Sequence, residues 1–110
     1  MRAVATAEQL NEQAWALRIK DRQRCRELAE EALVAAETEK NDLQIAFACR
    51  NLAFVLTFAD RSPRTAALAE RAIELFERLG ESEGLVTALD SLASKQRRAH
   101  LAVQLFPARH

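Results

Sequence analysis

Two cysteines, two histidines, two glycines and one cluster of cations are the residues of this 110-residue chain whose chemistry has to be weighed first. His100 and His110 have no Cys, Asp or Glu at metal-ligand spacing, so no metal site is expected. Cys25 and Cys49 also lack such spacing. Both fall in helical patterns beside apolar residues, which reads as two buried small hydrophobes; a disulfide or redox role is the other reading. A thiol nucleophile would need one of them beside His100, and nothing in the register brings them together. Gly80 and Gly84 cannot make a glycine-rich phosphate loop. Lys95, Arg97, Arg98 and His100 form a basic stretch. It reads as a solvated helix face whose cations suit the helix dipole, with nucleic acid the less favoured reading. These residues therefore point away from an enzyme, a metal centre or a cofactor, and towards a binding module.

Composition sets the same bounds. Hydrophobic residues make up 49% of the chain and charged residues 29%, a globular balance. Sixteen basic and sixteen acidic residues cancel, so no global charge steers the chain to nucleic acid or an anionic membrane. No apolar run approaches the ~18 residues of a membrane span. Met1 to Leu10 contains Glu8 and Gln9 and lacks an apolar signal core, so a cytoplasmic location is expected. With only two glycines and two prolines, the chain is expected to be all-α, with long helices and short connections.

The elements follow from a self-comparison. Shifted by 40 positions, Leu28, Ala29, Glu30 and Ala32 fall on Leu68, Ala69, Glu70 and Ala72, and Ala48, Leu52 and Ala53 fall on Ala88, Leu92 and Ala93. Upstream the shift is 39, placing Ala14, Leu17, Asp21 and Arg22 on Ala53, Leu56, Asp60 and Arg61. Small alanines recurring beside leucines suit close helix crossings. Caps bound the helices. Thr6 with Gln9 forms a capping box for a helix over 7–20. Asp21 caps 22–40, and Asn41 or Asp42 caps a helix to 59. Ser62 before Pro63 opens a fourth helix ending at Gly80. Ser82 opens a fifth that runs unbroken from 83 to Phe106 and stops at Pro107. One domain over 1–110 is expected, with units 7–40, 42–79 and 83–106.

This pattern resembles the tetratricopeptide repeat. Leu52, Ala53 and Leu56 match its first helix, and Ala69, Ala72 and Ile73 its second. Ala14, Leu17, Ala29, Ala32 and Leu33 repeat the match upstream, while the third unit matches only in Leu92 and Ala93. The resemblance implies antiparallel hairpins stacked into a right-handed solenoid of two and a half repeats. The stretch from Leu10 to Leu33 is also similar to N-terminal helical regions of bacterial multidomain signalling proteins. In the repeat family, ligands bind a concave groove lined by the first helices. Register places Trp15, Arg18, Ile19, Phe47, Arg50, Phe54, Phe58 and Arg97 there, together with Glu8, Asn11, Thr57, Thr87, Asp90, Ser94 and Arg98. Trp15 and Phe54 occupy equivalent places and are expected side by side, either in the groove or in the core. Asn51 matches one residue of the family's carboxylate clamp, but the clamp's cations are missing.

The expected function is a protein–protein interaction module binding a partner peptide or helix. The alternative is a regulatory sensor domain of a bacterial signalling protein. Homodimerisation is expected as well. The long last helix carries Leu85, Leu89, Leu92, Gln96, Ala99, Val103 and Phe106 on one stripe, with Leu105 adjacent. It has no second helix to pack on, so another copy would have to cover Leu92, Ala99, Val103, Leu105 and Phe106.

Overall fold

The computed structural model describes residues 5–59 and 63–90, without the side chains of 58 and 59. The described residues are helical and contain no strand, as the scarcity of turn residues predicts. Helix α1 spans Ala7–Ala16, α2 Arg22–Glu39, α3 Asp42–Ala59 and α4 Pro63–Leu79. A fifth helix, α5, occupies 82–90. Its expected continuation to Phe106, and the Ser62 cap, lie outside the described residues.

Three caps work as the sequence suggests. The Gln9 amide donates to the Thr6 hydroxyl while the Gln9 side chain accepts from the Thr6 amide. Asp21 accepts from the Arg24 amide, and Asn41, rather than Asp42, accepts from the Gln44 amide. Ser82 is not a cap: α5 begins at Ser82 itself, and the Leu85 amide donates to the Glu81 carbonyl. Helix α1 also differs, stopping at Ala16 rather than near Lys20. The Arg18 guanidinium takes the Trp15 carbonyl at 2.7 Å, the acceptor that a continuing helix would offer to Ile19.

Two turns share a geometry. At Lys40 and Gly80 the backbone enters the left-handed region, with φ of 54° and 70°. The Asn41 amide donates to the Ala36 carbonyl, and the Glu81 amide donates to the Phe76 carbonyl. These are the closing bonds of a Schellman turn. Glycine adopts this conformation at no steric cost; lysine does so against its Cβ.

Each helix packs on the next, and α1 also packs on α3. With such short connections the neighbours run antiparallel. Ala14, Ala29, Ala32, Ala48 and Ala72 are fully shielded at the crossings, with Leu52, Leu56 and Phe76 filling the space beside them. Cys25 and Cys49 are fully buried free thiols in this core, and burial is the main reason both are pushed above the usual thiol range. On the outside, Arg64 pairs with Glu30 and Arg71 with Glu37, tying α4 to α2, while Arg78 pairs with Asp42. All six side chains are about half exposed, so each pair contributes no more than ~1 kcal/mol.

The last helix is held by a close approach. A Cβ on Gly84 would come within 3.0 Å of three ring carbons of Phe76. Gly84 thus lets α5 settle onto the Phe76 ring. On the same helix Ala88 is buried, whereas Val86 and Leu89 face outward, 56% and 44% exposed. No helix among the described residues is long and apolar enough to cross a membrane.

Candidate functional site

The site grows from two asparagines on helices that pack together, α1 and α3. Asn11 on α1 and Asn51 on α3 are both buried, a position where an apolar residue would be the default. Their amides satisfy one another. Asn51 Nδ2 donates to the side-chain and main-chain oxygens of Asn11, at 3.1 and 3.3 Å. Asn11 Nδ2 donates in turn to the side-chain and main-chain oxygens of Gln44, at 2.9 and 3.0 Å.

The free face of Asn51 holds a cation. Its Oδ1 accepts from Arg50 Nε at 3.1 Å and from Nη2 at 2.9 Å, while Nη1 donates to the Thr87 hydroxyl of α5 at 3.3 Å. One polar chain thus links α1, α3 and α5. The Arg50 guanidinium also lies over two rings, 3.7 Å from the Trp15 centroid and 4.8 Å from that of Phe47. The Arg18 guanidinium is 4.1 Å from the same indole. Edge-to-face contacts extend the aromatic group, Trp15 to Phe54 at 5.5 Å and Phe47 to Phe76 at 5.0 Å.

Arg50 is only 6% exposed, and no carboxylate of the described residues lies within ion-pair distance of it. Burial, with Arg18 adding repulsion, lowers its pKa from the usual guanidinium range to about 10; Glu83 and Glu81 act more weakly in the other direction. The group is therefore a cation at neutral pH, held by neutral hydrogen-bond acceptors and ring faces.

A cleft of about 360 Å³ opens onto this cation. Glu8, Asn11, Glu12, Trp15 and Ala16 of α1 line one wall, Gln44, Phe47 and Arg50 of α3 the other, and Glu83 of α5 the end. Its floor is aromatic and cationic, and its rim carries three exposed glutamates. No group of three His, Cys, Asp or Glu suited to a metal occurs among the described residues.

Of the groove residues expected from the sequence, Trp15, Phe47 and Arg50 meet in the cleft, and Arg18 and Phe54 contact Trp15 from beside it. Trp15 and Phe54 are both half-buried and touch, between the groove and core alternatives. Ile19 falls in the turn after α1, 64% exposed, because that helix ends early. The Phe58 side chain and Arg97 lie outside the described residues, as do Leu92, Ala99, Val103, Leu105 and Phe106. Gln44, Glu12 and Glu83 are lining residues that the register did not single out. Asn11 and Asn51 each stand out in the sequence, but at non-equivalent positions of the register, so nothing there signals that they join in one buried polar chain. No protein-family model matches the chain, and no curated protein or solved structure is significantly similar to it.

Proposed function

We propose that this protein is a protein–protein interaction module, a tetratricopeptide-like stack of hairpins that takes a partner peptide or helix into the α1–α3–α5 cleft. The observation that carries this reading is the buried Arg50 guanidinium on Trp15 and Phe47 at the cleft floor. Aromatic residues with arginine are the types that anchor interfaces. The module acts without catalysis, in the cytoplasm. The test is selection of short random peptides on the whole chain, followed by Trp15→Ala. The substitution should weaken the selected peptides at least ~10-fold, with the melting temperature little changed. If Trp15→Ala unfolds the chain instead, Trp15 is a core residue and the groove loses its anchor.

The cleft volume favours a second reading, a regulatory sensor domain of a bacterial signalling protein, since about 360 Å³ lies within the range of small-ligand sites. Self-association accompanies either reading. The outward Leu89 belongs to the stripe that continues in sequence through Leu92, Val103 and Phe106. Light scattering at tens of micromolar should give a dimer, and Val103→Glu with Phe106→Glu should return it to monomer. A monomeric parent chain would rule the dimer out.

A further inference from the structure

A buried charge is stable only when its lost hydration is replaced. Arg50 replaces part of it. Three of the five guanidinium N–H donors go to neutral oxygens, of Asn51 and Thr87. The ring faces of Trp15 and Phe47 supply a further, weaker attraction. Two donors, one on Nη1 and one on Nη2, have no partner among the described residues, and the side chain lines the cleft. Arg18 lies over the same indole and adds a second positive charge. The floor is thus cationic with donors to spare, and a carboxylate supplies both the opposite charge and the acceptor oxygens.

The rim has the opposite sign. Glu8, Glu12 and Glu83 are exposed and have no ion-pair partner among the described residues. They repel a purely anionic ligand at the entrance and attract cations there. One molecule satisfies both levels only if an anion sits at its centre and cations flank it.

We infer that the partner segment is a peptide presenting one internal Asp or Glu side chain to Arg50, between apolar neighbours on Trp15 and Phe47, with Lys or Arg flanks against the glutamate rim. The inference rests on the peptide-binding reading of the cleft and specifies its partner. Arg50 reads the acid, the aromatic floor accepts the stem of that side chain, and the rim glutamates fix the segment's register through the flanking cations. Specificity then comes from rejection as well as attraction. A neutral residue at the centre leaves the cation unpaired, and an acidic flank meets the rim.

The experiment uses the whole chain and an array of short peptides varied at the centre (Glu, Asp, Gln, Leu) and at the flanks (Lys, Ser, Glu). Trp15 is the sole tryptophan and the chain has no tyrosine, so Trp15 emission reports cleft occupancy directly. A central Glu with Lys flanks should bind best. Its change to Gln should weaken binding at least ~10-fold, the usual size of a charge-assisted bond. The exposed variants Glu8→Gln and Glu12→Gln should weaken the Lys-flanked peptide and leave the Ser-flanked one unchanged, and raised salt should weaken the Lys-flanked peptide more than the Ser-flanked one. Arg50→Lys, which keeps the charge but loses the guanidinium donors, should reduce the preference for Glu over Gln. Peptides that bind equally well with Gln or Leu at the centre overturn this inference and leave the peptide-binding reading standing. Binding of free amino acids alone, or of no peptide at all, overturns both.

Discussion

Phe76→Ala should lower the unfolding free energy by about 3–5 kcal/mol, a large share of what a domain of this size possesses. The ring is fully buried between α3, where its edge meets Phe47, and α5, where Gly84 lies against it. Removing it opens a cavity where α4, α3 and α5 meet. Alanine cannot refill that space, and Phe47 loses its neighbour on the cleft floor. Urea denaturation would measure the loss, and a value below ~1 kcal/mol would contradict this packing. A cycle with Gly84→Ala makes the reading specific. In the parent chain that methyl collides with the ring. In the Phe76→Ala background it points into the cavity, and its cost should nearly vanish.

Asn51→Leu should cost about 3 kcal/mol although the two side chains branch alike. Asn51 has none of its surface exposed, so its polar atoms depend on protein partners. The loss is polar. Leucine leaves two Arg50 donors and the Asn11 side-chain oxygen without the partner they have in the parent chain. The reciprocal variant, Arg50→Met with Asn51→Leu, removes both members and should recover much of the loss. Chemical denaturation of the two variants would decide this. A single variant as stable as the parent would mean that the asparagine chain carries no stability.

The helices were legible because each is bounded by residues whose local chemistry is decisive: Thr6 with Gln9, Asp21, Asn41, Pro63 and Gly80. Alanine periodicity likewise located the crossings, since only a small side chain fits there. The early end of α1 was not legible, because it depends on the Arg18 side chain reaching the Trp15 carbonyl. Register could place Trp15, Phe47 and Arg50 on one side of the stack, because that needs only the helical period. It could not show that Arg50 would be buried without a carboxylate, which depends on which rotamer lies over which ring. Nor could it supply Gln44 and Glu83, whose entry into the cleft depends on where α3 and α5 begin.

The paired turns at Lys40 and Gly80 have a consequence for how the chain could change in length. Both leave a helix through the same left-handed residue and the same closing bond, so the segment between them starts and finishes in one backbone geometry. On the hairpin-stack reading proposed above, a whole unit could be added or removed at such a joint with the joint itself unaltered. On the same reading, an insertion of any other length would rotate the following helices out of register with their neighbours. Lysine at one turn and glycine at the other share one bond pattern, so the pattern does not require either residue. Those two positions would then be the connectors of a stack that lengthens in discrete steps.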